Sequence, residues 1–453
     1  MIMKLTNLLY FFLFVSVYGN EGLLNRIAGF SPAELKDKEL QSAIVKLGMP
    51  AHEKLKTGNK ESYKLRMDLC RKIRAVRDTK RLNKGLVIHE WGTFKYLQDS
   101  NEIEIGMRDN ISDLPGFVQV WNKQPNIYHS RIIKKPILYF YPKFETSINV
   151  TVKCPTGILT QWWPNVSSFS PRRMQNNKIK VLRRNGTLSW RNIRFVKRQA
   201  PKYSKADKHP WWNKLRNVDA SILNVNGVDE KFLFYRGVAS RKPVMKASYA
   251  KDKLRIENTS EFKLGHVFVV YVKNAKVFDL QFSLDSHAAK NISIKWDQAV
   301  DVKTRSVQLR KIFQYYLEEL GLFPKESKGM TDIWQKQYFE NEGLRIFYVM
   351  PRKLQDSFLK LSFSVTPVSL IRTNVVQYEI FTPEREKAVF LMIQKLGAET
   401  FRERRKAQEK LLKADEFSDA YMKKVLNEVD DPEISERLKS ILLKRQKLRH
   451  FID

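Results

Sequence analysis

The sequence predicts a mainly β protein of antiparallel, sandwich-like sheets, with a helical insertion and an α-helical C-terminal region. From residue 85 onward, apolar residues recur with a period of two in short runs rich in Val, Ile, Tyr, Phe and Trp, separated by Pro, Gly and Asn. No helix-length amphipathic segment falls between the first eleven runs, which argues against a parallel α/β fold. These runs are 86–94, 136–141, 147–153, 157–163, 178–183, 187–196, 231–238, 253–258, 266–273, 277–284 and 291–296. Beyond residue 85, helical periodicity is confined to 305–341 and 384–453.

The composition is that of a folded and strongly basic chain. With 453 residues, 43% of them hydrophobic and 12% aromatic, the chain is not mainly disordered and is long enough for two or three compact units. Its 82 Lys and Arg against 48 Asp and Glu leave a formal net charge of +34. A surface of this charge attracts polyanions.

Residues 1–19 have the pattern of a signal peptide, with a positive start, an apolar core and a small-residue exit at Gly19. The apolar core is short for a transmembrane helix, although an uncleaved anchor stays open. Residues 20–84 are predicted as a helical lead-in, and no later stretch is apolar enough to span a bilayer. We therefore expect an exported protein, periplasmic or secreted.

The chain has only two cysteines, Cys70 and Cys154. An exported protein of this size with two cysteines must rely on its core rather than on a disulfide framework. One bridge between them and two buried free thiols are both compatible with the sequence.

Residues 85–383 are predicted as the β-rich main domain, and its first strand carries the stretch V-I-H-E-W-G-T-F at 87–94. The pattern predicts a core strand that runs into a tight turn at Gly92. Because side chains alternate along a strand, His89 and Glu90 point to opposite faces. Either could serve as a general acid or base or as a metal ligand. In the alternative interpretation, His89 is a hydrogen-bonded core residue and Glu90 is the buried partner of an arginine.

Two aromatic strands end in arginine beside glycine or proline. Arg236 ends F-L-F-Y-R-G, and the stretch that begins at Glu342 contains Arg345 and Arg352. Arginine forks at such positions bind carboxylate, sulfate or phosphate. We expect these strand ends to converge with the histidine–glutamate strand at one solvent-filled concavity. The alternative is that Arg236 or Arg345 pairs with Glu90 or Glu342 and holds the sheets together.

The segment 171–216 is the most basic part of the chain. It holds 15 Lys or Arg and one acidic residue, Asp207, with aromatic residues interleaved. Such a surface suits a sulfated or uronic polysaccharide, or equally a nucleic-acid backbone. The alternative is a solvated basic face whose tryptophans belong to the core.

No motif in the sequence names a reaction. There is no H-E-x-x-H, no paired C-x-x-C, no G-x-S-x-G and no phosphate-binding glycine loop. Zincin, zinc-ribbon, α/β-hydrolase and P-loop functions therefore have no local support, and no cofactor is predicted. No metal ligands are predicted from spacing, although a site assembled from distant strands stays open.

The helical regions begin and end at recognisable signals. In the insertion 305–341, a helix over 306–322 is predicted to end at Gly321, and Thr331 to cap a second, short helix. The C-terminal region 384–453 is predicted to hold four helices, which offer a surface for a protein partner, at 384–396, 399–413, 416–429 and 432–449. Parts of this region resemble a degenerate HEAT-type helical repeat of bacterial exported proteins.

The stretch at 87–94 resembles the hallmark of an uncharacterised family of exported bacterial proteins known by its H-E-W-G-T-F string. The match spans roughly 85–383 and departs at Lys135 and at Gln161, where an acid is expected. The resemblance implies an exported protein and carries no reaction. Further matching stretches occur in order at 114–118, 135–142, 159–164, 188–190, 232–238 and 342–352.

Two functions follow as hypotheses. The first is a hydrolase or lyase acting on an anionic polysaccharide, with proton transfer by His89, Glu90 or Glu342. The second is a non-catalytic polyanion-binding or cell-envelope scaffold protein in which the same charged residues are internal ion pairs. The candidate substrate-binding residues are Arg236, Arg345, Arg352, Trp162, Trp190, Arg183, Arg184, Arg191 and Arg194.

Overall fold

The structure is a computed structural model that describes residues 71–448, except for gaps at 72–73, 76–77, 106, 109–113, 121–127, 130, 145, 172–184, 198–200, 207–208, 240–242 and 415–417. The chain divides into two compact units, 1–87 and 88–453. In the first unit, the described residues of 71–82 are helical. The signal peptide, Cys70, most of the lead-in and the strand predicted at 178–183 lie outside the described residues.

The second unit is mainly β with helices, which confirms the predicted fold class at that level. Its largest sheet has ten strands, and the pairings recorded within it are antiparallel. From one edge to the other, its order is β18 (Val300–Asp301), β16 (Lys276–Leu284), β15 (Leu264–Lys273), β19 (Gly343–Val349), β21 (Ser369–Phe381), β1 (Val87–Asp99), β5 (Arg131–Tyr141), β12 (Leu233–Ala239), β7 (Gly157–Trp163) and β3 (Gln119–Val120).

Three smaller sheets accompany it. The six-stranded sheet consists of β11 (Val228–Glu230), β10 (Ile222–Val225), β9 (Gly186–Val196), β6 (Ser147–Cys154) and β20 (Lys360–Phe363), with β8 (Ser168–Ser170) paired to β9. A three-stranded sheet consists of β13 (Met245–Ala250), β14 (Lys253–Asn258) and β17 (Ala289–Ser293). The strands β2 (Met107–Arg108) and β4 (Tyr128–His129) form a two-stranded ribbon.

Helices occupy the predicted insertion and the C-terminal region, and two short helices, at 210–216 and 352–358, lie outside both. The helices are α1 (Pro210–Arg216), α2 (Val302–Glu319), α3 (Pro324–Gln335), α4 (Arg352–Phe358), α5 (Pro383–Gln394), α6 (Phe401–Lys413), α7 (Ser418–Leu426) and α8 (Pro432–Leu448). Two 3₁₀ turns lie at Trp296–Gln298 and Lys395–Gly397, and a π-helical turn at Lys336–Glu340 follows α3. Within the described part of the chain, each helix is too short or too polar to cross a membrane.

The second helix of the insertion starts earlier than predicted, and Thr331 does not cap it. The helix α3 begins at Pro324, where the Glu326 carboxylate accepts from the backbone N–H of Phe323 at 2.7 Å. Thr331 lies inside the helix, and its hydroxyl donates to the carbonyl oxygen of Ser327 at 2.9 Å. The proline at the first helical position and the glutamate after it fix the start instead.

Alternation along β1 sends its side chains to two faces of the ten-stranded sheet, and helices cover both. On one face, the Trp91 ring lies 5.6 Å from Trp334 of α3. On the other, the Phe94 ring lies 5.3 Å from Phe358 of α4. All 13 residues of β1 are therefore buried, as expected for a central strand.

The predicted turn at Gly92 is wrong, because β1 continues through Asp99. Gly92 lies in mid-strand, where a Cβ atom would come within 2.8 Å of the Pro136 Cα on β5 and of the Asn374 Oδ1 on β21. The glycine permits close approach of the neighbouring chains rather than a change of direction.

The C-terminal helices have a core of their own, and it extends to the ends of β1 and β21. Leu97 of β1 and Phe381 of β21 pack into it. The helical side chains of this core are Val389, Ile393, Leu396, Ala407, Leu411, Met422, Val425, Leu438 and Ile441. These helices occupy the region predicted to be helical.

Candidate functional site

The Glu90 carboxylate lies at the centre of the ten-stranded sheet and is fully buried. Arg372 of β21 donates to it from Nε at 2.5 Å and from Nη2 at 3.2 Å. Gln355 of α4 and Asn374 of β21 donate amide N–H groups at 2.6 and 3.1 Å, and the Tyr235 hydroxyl of β12 donates as well. Four side chains from three elements thus saturate one carboxylate, which is what a buried charge requires.

Burial and neighbouring charges shift the pKa values of two members of this cluster, Arg372 and Tyr235. Burial alone would lower the pKa of Arg372, but the charge of Glu90 and its hydrogen bonds outweigh burial and raise it. Burial, with a further contribution from Glu90, raises the pKa of Tyr235, so that its hydroxyl stays protonated and donates. Arg372 also donates to Asp356, a half-exposed carboxylate at the surface, at 2.5 Å. The cluster is therefore a chain of charges from the core to the surface.

Arg345 takes part in a second buried ion pair, with Glu379 of β21. Its Nε and Nη2 atoms donate to the two carboxylate oxygens at 3.0 and 3.1 Å. Arg385, in the first turn of α5, donates to the same carboxylate at 3.1 Å. The remaining donors of Arg345 bind the carbonyl oxygens of Asn341 and Glu342. The arginine fork therefore grips the protein itself.

A third buried carboxylate, Glu230 of β11, repeats the arrangement. Arg216 of α1 donates to its two oxygens at 3.0 and 2.8 Å. The indole N–H groups of Trp163 and Trp212 donate to it at 3.1 and 3.4 Å. The pair ties α1 to the edge of the six-stranded sheet and to β7.

His89 faces the opposite side of β1 from Glu90, as predicted from strand alternation. Its Nδ1 atom lies 2.7 Å from the Glu326 Oε2 of α3, and both side chains are fully buried. Aromatic rings of Tyr141 and Phe323 lie 5.3 and 4.5 Å from the imidazole. Burial, and then the charge of Glu326, raise the pKa of Tyr141 beside the pair. The histidine is held by α3 and packed against rings.

The structure does not bring the two arginine-tipped strands together. Arg345 lies on β19, two strands to one side of β1, and Arg236 lies on β12, two strands to the other side. Four strand spacings separate them, about 19 Å at about 4.8 Å each. His89, Glu90, Arg236 and Arg345 are each at most 1% exposed. The expected single solvent-filled concavity is therefore absent from the described residues.

The remaining predicted residues of this group lie apart from one another. Glu342 is exposed and accepts from the backbone N–H of Asn274 at 2.9 Å. Arg352, at the start of α4, pairs with Asp356 at 2.7 Å and donates to a backbone carbonyl. Both residues therefore make surface contacts with other parts of the protein, and they do not contact each other through these bonds.

The two tryptophans expected to stack on a sugar are buried. Trp162 is 4% exposed and its ring lies 4.9 Å from Phe169. Trp190 is fully buried and donates its indole N–H to the carbonyl oxygen of Pro164 at 2.8 Å. Neither ring presents a face to solvent, because both point into the apolar side of their sheets.

Of the four arginines predicted to bind a polyanion in the basic segment, the structure describes two. Arg183 and Arg184 lie outside the described residues. Arg191 and Arg194 are exposed on β9, and Arg194 donates to the Asn224 Oδ1 at 3.2 Å. These two predicted binding residues are therefore accessible to solvent on the six-stranded sheet.

The sequence analysis missed the partners that satisfy Glu90 and Arg345. Arg372 and Asn374, then Gln377 and Glu379, are polar pairs spaced by two residues within β21. Polar side chains spaced by two residues within an otherwise apolar strand signal buried polar contacts, here with the first pair on one face and the second pair on the other. This pattern is visible in the sequence of β21. The sequence does not show which strands lie beside β21, so the partners of these side chains could not be predicted.

Among the residues that the structure describes, no three His, Cys, Asp or Glu side chains are grouped to hold a metal ion. The described cysteine, Cys154, is a buried free thiol, and burial raises its pKa to about 12.

Comparison with known proteins adds little. No family model matches the sequence, and no curated protein is similar to it. Solved structures to which the chain is similar include the yeast delta-COP-I mu-homology domain, with 8% identity and a TM-score of 0.23 over 65% of this chain and 95% of that one. A similarity of this size carries no argument about fold or function.

Proposed function

We propose that the chain is a non-catalytic polyanion-binding protein of the cell envelope, exported by its N-terminal signal. One observation carries the non-catalytic part. Glu90, Arg345 and His89 each have a buried partner within the protein, and none is more than 1% exposed. A general acid or base must come within hydrogen-bond reach of its substrate, and an anion-gripping fork must have free donors.

The competing proposal is a hydrolase or lyase that acts on an anionic polysaccharide through His89, Glu90 or Glu342. It needs the first two side chains to be open to solvent beside Arg236 and Arg345. Burial and the four-strand separation favour the non-catalytic proposal instead. In the non-catalytic proposal, the buried ion pairs of the protein fix the register of strands that are distant in sequence.

The charge of the chain supports the binding part of the proposal. A formal net charge of +34 creates a field that attracts polyanions over the whole surface. Arg191 and Arg194, within the basic segment 171–216, are exposed on β9. An anionic polysaccharide is the partner that fits an exported protein with this charge.

Two finer features belong to the same proposal. The ten-stranded and six-stranded sheets are proposed to pack as a sandwich-like pair, which is supported by the Phe140 and Phe195 rings at 5.9 Å. The C-terminal helices are proposed as the surface for a protein partner. Large apolar side chains exposed there support this, namely Phe390, Leu391, Phe401 and Leu443.

Retention on heparin resin tests the binding proposal. The wild-type protein is expected to bind at low salt and to elute only as salt rises, because screening weakens the attraction. Replacing Arg183, Arg184, Arg191 and Arg194 with alanine should lower the salt concentration at which the protein elutes. Elution of the wild type in the void volume at low salt would refute polyanion binding.

A further inference from the structure

The six-stranded sheet has one buried side and one side that faces solvent. In β6, the apolar residues Ile148, Val150, Val152 and Cys154 are buried, and the residues between them face outward. We call the outward side of β6, β9 and β20 the open face. Its side chains are Ser147, Asn149, Thr151, Lys153, Thr187, Ser189, Arg191, Arg194, Lys360 and Ser362.

The open face carries positive charge, and the strands that form it contribute no acidic side chain. Lys153, Arg191, Arg194 and Lys360 are all exposed, and β6, β8, β9 and β20 contain no Asp or Glu. Some exposed cations elsewhere have carboxylate partners, as in the Arg405–Glu409 pair at 3.0 Å and the Arg437–Glu433 pair at 2.7 Å. Neither lysine of the open face forms an ion pair with a carboxylate of the described residues.

Two of these cations lie directly opposite each other. Lys360 of β20 is the cross-strand partner of Lys153 of β6. Directly opposite residues have Cβ atoms about 4.5–5.5 Å apart, and like charges at such a pair destabilise the sheet. An anion held between the two ammonium groups would replace this repulsion with two attractions.

Hydroxyl groups surround the lysine pair. Thr187 of β9 is the cross-strand partner of Lys153 on its other side, and Thr151 lies between Ser362 and Ser189. The hydroxyls of Thr151 and Ser189 are 3.0 Å apart and share a hydrogen bond. These groups can donate to the oxygens of a sulfate or carboxylate and to the hydroxyls of a sugar.

The two arginines lie farther along the open face, and Arg194 is at the end opposite the lysine pair. Arg194 is the cross-strand partner of Ser147, six residues before Lys153 along β6. At about 3.3 Å per residue, the two ends are about 20 Å apart. The cations thus flank a hydroxyl-lined row that is long enough for several sugar units.

We propose that the open face binds a linear anionic polysaccharide, with one sulfate or carboxylate held between Lys153 and Lys360. This inference rests on the proposed function and gives it a surface and a ligand class. A single-stranded nucleic acid fits less well, because it needs exposed aromatic rings on which its bases stack. The rings of β9, Trp190 and Phe195, point into the core.

Paired charge-removal variants test the proposal with fluorescently labelled heparin as the probe. K153A/K360A removes two exposed lysines from the open face, and K246A/K253A removes two exposed lysines from the three-stranded sheet. We expect K153A/K360A to bind heparin about tenfold more weakly, with the slope of log affinity against log salt reduced by about two. The K246A/K253A control should change affinity less than about twofold. Equal losses of heparin affinity in both variants, or no loss in either, would overturn the proposal that the open face is the binding site.

A charge-reversal variant separates binding from folding. K360E places a carboxylate opposite Lys153 and should raise the melting temperature without heparin, since a like-charge pair becomes an ion pair. It should also weaken heparin binding at least as much as K153A/K360A. A melting temperature that falls while binding is unchanged would count against the lysine pair.

The outcomes distinguish this inference from the proposed function. If the wild type binds heparin and K153A/K360A binds equally well, the open face is wrong and polyanion binding stands. If the wild type binds no heparin, polyanion binding itself fails. If a single-stranded oligonucleotide of equal charge displaces heparin at lower concentration, the polysaccharide class is overturned.

Discussion

At the scale of single residues, buried glutamates paired with arginine forks account for the most unusual sequence features of the chain. Glu90, Glu379 and Glu230 each accept from an arginine and from further side chains. A buried carboxylate is costly unless its lone pairs are filled, and removing one partner leaves the other charge uncompensated. Two of these ion pairs connect strands that are distant in sequence, and the pair of Glu230 connects a strand to α1.

The substitution Glu90→Gln tests this role. It keeps the size of the side chain but removes the charge that neutralises Arg372. We expect the free energy of unfolding, measured by urea denaturation, to fall by about 3–5 kcal/mol. The matched control is Glu257→Gln, whose exposed pair with Arg255 should contribute less than about 1 kcal/mol. Equal effects in both variants would show that Glu90 has no special structural role.

At this scale, the sequence predicted which face of β1 each side chain lies on, but it did not predict the partners of those side chains. Alternation placed His89 and Glu90 on opposite sides of β1, and one interpretation made Glu90 the buried partner of an arginine. That arginine is Arg372, rather than Arg236 or Arg345. The pairing joins residues 282 positions apart, and local sequence carries no information about which distant strand lies beside β1.

At the scale of elements, the period of the apolar residues located the long strands and the helices. Strands such as β6, β7 and β14 lie where the pattern predicted them. Shorter strands such as β10 and β11 were missed, because three or four residues are too few to show a period. Gly92 was misinterpreted as a turn, since glycine signals both turns and close backbone approach.

The substitution Gly92→Ala tests the close approach at β1. Its Cβ would lie 2.8–2.9 Å from the Cα and N atoms of Pro136, where neither backbone can yield freely. We expect the free energy of unfolding to fall by about 1–3 kcal/mol. Thermal unfolding monitored by circular dichroism measures this loss. Gly116→Ala is the control, because nothing lies within 4 Å of its Cβ position. A Gly92→Ala protein as stable as that control would contradict the packing described for β1.

At the scale of the whole molecule, the order of strands decides what the charged residues can do. The order β19, β21, β1, β5, β12 puts Arg345 and Arg236 on opposite sides of Glu90 and buries all three. Sequence order alone cannot give this arrangement, because neighbours in the sheet are often distant in the chain. Positive charge is left at the surface, and the open face of the six-stranded sheet concentrates it beside hydroxyl groups.

The most direct test of a binding protein without catalysis is the chain length of heparin after incubation with the protein, measured by size-exclusion chromatography with light scattering. We expect heparin to elute in a complex with the protein at low salt and to recover its original mass when high salt releases it. Shortened heparin chains would contradict the non-catalytic proposal, and heparin that never elutes with the protein would contradict polyanion binding.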